Sequence, residues 1–106
     1  MFGIVIDYDF TGDEVVWQQA VDAFIENINS DERLKGYFSY LVTARKDGTG
    51  RVHIGQWDEE ATLKHLQSQS FLSEFSAKVK EFGGDSLKTT PFKTNFQDKL
   101  KFLRRR

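Results

Sequence analysis

The stretch Val52–Phe75, VHIGQWDEEATLKHLQSQSFLSEF, decides the fold. Its first residues alternate as a strand does and end in Trp57. A helix opens at once behind them. Asp58 can cap it, and Glu59 and Glu60 suit the positive end of its dipole. The helix carries His65 and ends near Gln67, with a break over Ser68–Ser70. Ser70 can cap a continuation in which Phe71, Leu72, Phe75, Val79 and Phe82 form one apolar stripe. Gly83-Gly84 stops it. The strand puts His53 and Trp57, four residues apart, on the same face.

On the amino-terminal side, Arg51–Trp57 is the second arm of a hairpin. Lys46-Asp47-Gly48-Thr49-Gly50 supplies the turn, and Tyr37–Arg45 is the first arm. Gly36 marks the start of that arm. Farther upstream, Met1–Phe10 alternates, with Phe2, Ile4, Ile6, Tyr8 and Phe10 on one face and Gly3, Val5, Asp7 and Asp9 on the other. Thr11-Gly12-Asp13 is a turn that supplies a helix N-cap. Trp17, Ala20, Val21, Phe24, Ile25 and Ile28 then recur at helical spacing to about Asn29. On the carboxyl side, Ser86–Phe96 reads as a fourth strand. It contains Pro91, which lacks a ladder donor and therefore belongs on an edge or at a bulge. The order β-α-β-β-α-β is the α+β, ferredoxin-like arrangement: a four-stranded antiparallel sheet with helices on one face.

The chain has 106 residues, so one domain is expected, spanning 1–96, with a basic tail over 97–106. The net charge of −1 gives no nucleic-acid footprint. It is unevenly spread. Eight acids and no Lys or Arg lie between Met1 and Glu32, whereas Lys99, Lys101 and Arg104–Arg106 make the end basic. There is no Cys, which excludes disulfides and thiolate metal sites. No apolar run approaches a membrane span, and MFGIVIDYDF has no basic segment of the kind that opens a signal peptide. A cytoplasmic protein that binds neither nucleic acid nor membrane is expected.

The ten Phe, two Trp and three Tyr are a heavy aromatic load for a chain this short. A single sheet covered on one face would leave Trp57, Val5 and Leu41 or Val42 in water, and large apolar patches usually mark an interface or a binding site. Two sheets packed face to face would cover them and leave a central cavity.

The strand–Trp57-Asp58-Glu59-Glu60-Ala61…His65-Leu66…Ser68…Phe71…Phe75 series, together with Leu34-Lys35-Gly36-Tyr37-Phe38-Ser39-Tyr40, resembles the antibiotic-biosynthesis-monooxygenase-like domains of the dimeric α+β barrel superfamily. The resemblance runs from about Phe2 to Phe96. It implies a homodimer whose two sheets form a barrel. The superfamily includes cofactor-free monooxygenases, haem-degrading enzymes, small isomerases and decarboxylases, and members without known activity.

Chemistry then rests on few groups. If the helices cover the Val52/Ile54 face, His53 and Trp57 point into the barrel. Asp7, on the face opposite Ile6, is expected to join them. An indole wall, an imidazole and a carboxylate would suit a planar phenol: His53 as base or anchor, Asp7 as its orienting carboxylate, Trp57 as cavity wall. In similar monooxygenases a polar residue such as Asn stands four before the Trp, and here it is His53. Phe75 is a further substrate-binding candidate. His65 matches the family's helix histidine; it is read either as ordering the Ser68–Ser70 turn or as part of the cavity rim. The bland alternatives are a cross-strand hydrogen bond for His53 and a core or interface position for Trp57. In haem-degrading relatives a His stands where this chain has Phe75, and an Asn where it has Asp7, so haem is not expected. Neither a metal nor any other cofactor is expected. The functional expectation is a cofactor-independent monooxygenase acting on an aromatic or hydrophobic small molecule. The alternative is a non-catalytic dimeric ligand-binding or stress-response protein.

Overall fold

A computed structural model describes residues 1–94. The expected carboxyl-terminal tail, 97–106, lies outside the described residues. The elements are β1 (Phe2–Asp9), α1 (Glu14–Asn29), β2 (Phe38–Ala44), β3 (Gly50–Trp57), α2 (Glu60–Gln67), α3 (Ser70–Gly83) and β4 (Lys88–Lys93), with a single 3-10 turn at Gly84–Ser86 before β4. The strands form one antiparallel sheet in the order β2-β3-β1-β4. This is the expected ferredoxin-like α+β arrangement.

Local chemistry accounts for the boundaries. Asp13 caps α1 by accepting from the amides of Val15 and Val16. Asp58 stands just before α2, where its carboxylate accepts from the Glu59 amide and the Thr62 hydroxyl. The break between α2 and α3 falls at Ser68 and Gln69. Gln69, not Ser70, holds the N-cap position of α3, and its side chain makes no capping bond. Gly84 ends α3 with φ +53°, a left-handed conformation that a residue with a Cβ resists. Pro91 sits on β4, which is an edge strand, and its missing N–H leaves no gap in an interior ladder.

Register decides which side chains lie beneath the helices. Ile4 opposes Gly55, Ile6 opposes His53 and Tyr8 opposes Arg51; on the other side of β3, Val42 opposes His53, Tyr40 opposes Gly55 and Phe38 opposes Trp57. Directly paired residues share a face, so His53, Gly55 and Trp57 lie on the same face as Ile4, Ile6, Tyr8, Phe38 and Tyr40. That is the face the helices cover. The expectation that the helices cover Val52 and Ile54, leaving His53 and Trp57 to point away from them, is therefore reversed. The open face carries Val5, Asp7, Leu41, Thr43, Val52 and Ile54.

Between sheet and helices lies an aromatic core. Phe24 of α1 stacks parallel on Phe75 of α3 at 4.2 Å, and Tyr40 meets Phe24 edge-on at 4.9 Å. Gly55 makes this packing possible: a Cβ there would lie 3.3 Å from both the Phe38 and Tyr40 rings.

Candidate functional site

A pocket of about 460 Å³ opens between this sheet face and helices α2 and α3. Ile4, Ile6, Tyr40 and Trp57 line it from the sheet; Leu66, Leu72, Phe75 and Val79 line it from the helices. The more polar lining residues Gln67, Ser76, Lys80 and Thr89 are exposed and form its rim. A volume of this order accommodates a small organic ligand. A second recess, of about 480 Å³, lies beside Met1, Asn29, Tyr37 and Gln56; Tyr40 reaches both, but Trp57 and Phe75 line only the first.

Behind the pocket wall is a chain of hydrogen-bonding aromatics. His53 is 0% exposed. Its Nε2 lies 2.8 Å from the Tyr8 hydroxyl, and its Nδ1 lies 2.8 Å from the Tyr40 hydroxyl. The Trp17 indole N–H donates to the Tyr8 oxygen at 2.9 Å. Phe75 lies against the imidazole at a ring separation of 5.9 Å, on the pocket side. Burial pushes the His53 pKa down to about 4, and the nearby Arg51 charge acts in the same direction. The ring is therefore neutral at pH 7. Burial also raises the Tyr8 and Tyr40 phenols above the ordinary tyrosine value, so both remain protonated.

Arg51 closes the other end of the chain. It is 1% exposed, and its guanidinium lies 4.3 Å from the Phe10 ring centre and 4.4 Å from that of Trp17. Its Nη2 donates to both Glu14 carboxylate oxygens at 2.6 and 2.7 Å, and its Nη1 donates to the Gly48 and Gly50 carbonyls. Its Nε has no partner among the described residues. The cation thus anchors Trp17, which in turn holds Tyr8.

The structure separates the residues singled out in the sequence. Trp57 and Phe75 line the same pocket. His53 stands behind its wall and does not line it. Asp7 lies on the opposite face, paired with Val52 and Lys88, so it cannot orient His53. Neighbouring residues of a strand point to opposite sides, and Ile6, not Asp7, faces His53. His65 lies elsewhere: its Nε2 is 2.8 Å from Asp31 Oδ2, which joins α2 to the segment before β2 and holds the Asp31 carboxyl below its usual range. It borders a separate recess with Tyr37, Asp58 and Thr62. The Ser68–Gln69 turn is tied to the His65 carbonyl, which accepts from the Ser68 hydroxyl and the Gln69 side-chain amide, so the backbone rather than the imidazole orders it.

Tyr8, Trp17, Tyr40 and Arg51 did not stand out in the sequence. A signal was present: Tyr8 and Tyr40 are polar-tipped aromatics at inward positions of alternating strands, and a buried phenol calls for a partner. Among the described residues, no group of three His, Cys, Asp or Glu side chains is arranged to hold a metal ion, and no helix is long and apolar enough to cross a membrane.

No family model and no curated protein matches the sequence. Solved structures do. Rv0793 from Mycobacterium tuberculosis aligns with a TM-score of 0.72 at 14% identity, over 91% of this chain and 96% of that one. SnoaB, a cofactor-independent oxygenase from Streptomyces nogalater, aligns in a mutant form with a TM-score of 0.72 at 9% identity, over 91% of this chain and 94% of that one. A candidate antibiotic biosynthesis monooxygenase from Deinococcus radiodurans aligns with a TM-score of 0.71 at 12% identity, over 92% and 96%. At these identities the likeness is one of fold: the chain has the antibiotic-biosynthesis-monooxygenase-like fold.

Proposed function

We propose that this protein is a cofactor-independent monooxygenase that takes an aromatic or hydrophobic small molecule into the pocket between the sheet and helices α2 and α3. One observation carries the reading: a pocket of about 460 Å³ walled by Trp57 and Phe75 with a buried polar chain directly behind it. Aromatic walls suit a planar ring. The fold shared with SnoaB supports the reaction class. In the proposed chemistry the substrate supplies the electrons. A substrate C–H acidified by a neighbouring electron-withdrawing group gives its proton to water at the exposed rim and leaves a carbanion that adds dioxygen. The peroxide takes a proton back and loses water, so the activated methylene becomes a carbonyl and the second oxygen atom leaves as water. The protein contributes orientation and fixed dipoles within the apolar walls of the pocket. His53, neutral and flanked by two phenols, serves as the anchor of Tyr40 rather than as an open base.

We further propose that the protein works as a homodimer joined through the open sheet face. Val5, Leu41, Val52 and Ile54 give that face an apolar surface, and Leu41 is 57% exposed.

The test is oxygen uptake by the purified protein with a panel of phenols and aryl ketones carrying an activated methylene. The reading expects uptake with carbonyl product in equal amount, reduced at least tenfold in Trp57→Ala. A second reading, a ligand-binding protein without turnover, is favoured by the complete burial of His53, which leaves no base open to the pocket. It expects ligand-dependent tryptophan quenching with no oxygen uptake.

A further inference from the structure

The buried chain Trp17–Tyr8–His53–Tyr40 has a direction, and the direction follows from counting protons. An indole nitrogen only donates, so Trp17 Nε1–H fixes the Tyr8 oxygen as an acceptor on that side. Tyr8 is 1% exposed, and its hydroxyl has one other partner among the described residues, His53 Nε2. If Nε2 carried the imidazole proton, the Tyr8 oxygen would accept twice and its own proton would be buried without an acceptor. Leaving a buried donor unpaired is the expensive arrangement. The Tyr8 hydroxyl therefore donates to Nε2. A neutral imidazole carries one proton, so it sits on Nδ1, which donates to the Tyr40 oxygen. The depressed pKa of His53 agrees with a neutral ring.

Every buried proton in the chain then has an acceptor, and one proton is left over: that of the Tyr40 hydroxyl. Tyr40 is half-buried and lines the pocket. The other wall residue with a polar atom, Trp57, also carries a donor and no acceptor. The two wall residues with a polar side-chain atom, Tyr40 and Trp57, thus each carry a donor, and the other polar side chains that line the pocket sit on its exposed rim.

We propose that Tyr40 is a specificity-determining hydrogen-bond donor, held in that polarity by Trp17, Tyr8 and His53, so that the pocket selects ring compounds bearing a carbonyl or phenolate oxygen. This rests on the reading of the pocket as the ligand site and narrows it to a substrate class. An oxygen held there would also accept the negative charge that develops when a neighbouring C–H is lost.

Two measurements on the full chain test it. Nitrogen-15 NMR of the His53 ring reports the tautomer without any ligand: Nδ1–H is expected, and Nε2–H overturns the polarity. Binding is then followed by tryptophan fluorescence with 1-tetralone, which has a carbonyl, and tetralin, which has none. Tyr40→Phe should weaken 1-tetralone about tenfold and leave tetralin unchanged. An equal loss for both probes would reduce Tyr40 to packing and overturn the proposal, as would no loss for either. If neither probe binds the unsubstituted protein, the pocket reading fails and the substrate class fails with it; an Nδ1–H signal in that case still upholds the polarity of Tyr40.

Discussion

The two faces of the sheet are built on opposite terms. The helix-covered face contains polar groups that are paired nearly to completion: Trp17 to Tyr8, Tyr8 and Tyr40 to His53, Arg51 to Glu14 and two carbonyls. The open face carries apolar groups that the described residues leave uncovered, Leu41 above all. Burial of polar atoms is tolerated where each finds a partner, whereas exposed apolar surface calls for a second body. In the proposed reading the first arrangement supports the ligand pocket and the second the subunit interface, on alternate residues of the same strands.

If the open face is the dimer interface, a charge at its centre should have the largest effect. Ile54→Asp is expected to weaken association more than about a hundredfold, because an unpaired carboxylate would be buried. Sedimentation should show monomer, and circular dichroism an intact fold. A dimer of unchanged strength would assign the face to some other partner.

On the covered face, acid should be the next strongest perturbation. His53 has a folded pKa of about 4 against an unfolded value of 6.5. The unfolded chain therefore binds this proton more readily. The stability contributed by neutral His53 is present in full above pH 6.5 and is lost as the pH falls from 6.5 to 4, by on the order of 3 kcal/mol. Urea titrations across that range measure it, and His53→Gln should flatten the slope. An equal slope in the variant would place the acid sensitivity elsewhere.

The Arg51 end of the network should respond less. Glu14→Gln leaves a buried guanidinium without its carboxylate, yet Glu14 is itself 63% exposed and partly screened by water. A loss of about 1.5 kcal/mol in urea unfolding is expected. Gly55→Ala should be milder still. Its Cβ would press on Phe38 and Tyr40 at 3.3 Å, for a cost of about 1 kcal/mol. Thr43→Ala on the open face should change little by the same measurement.

The elements themselves were legible. Periodicity located the first three strands and the helices, Asp13 announced the start of α1, and Pro91 announced an edge or a bulge and stands on an edge. The fourth strand, expected from Ser86, begins at Lys88 because Ser86 belongs to the 3-10 turn. The face was harder to read. In Val52-His53-Ile54-Gly55 the aliphatic residues look like the inward set, and alternation alone favours them. The outcome depends on β1 and β2, whose registers set Ile6 and Val42 against His53. His53 is tolerated inside because two tyrosines from neighbouring strands satisfy its nitrogens, and Gly55 belongs inside because rings fill the space above it. Such compensation spans distant segments, so no local pattern reports it. The same reversal separated Asp7 from His53 and moved the proposed site from between two sheets to beneath the helices.

The most direct test of that relocation is to map a bound ring compound on the protein. In nitrogen-15 correlation spectra, 1-tetralone should shift the amide signals of Tyr40, Trp57, Leu66 and Phe75 and leave those of Val5, Leu41, Val52 and Ile54 in place. Shifts confined to the second group would put the ligand on the open sheet face and contradict the account.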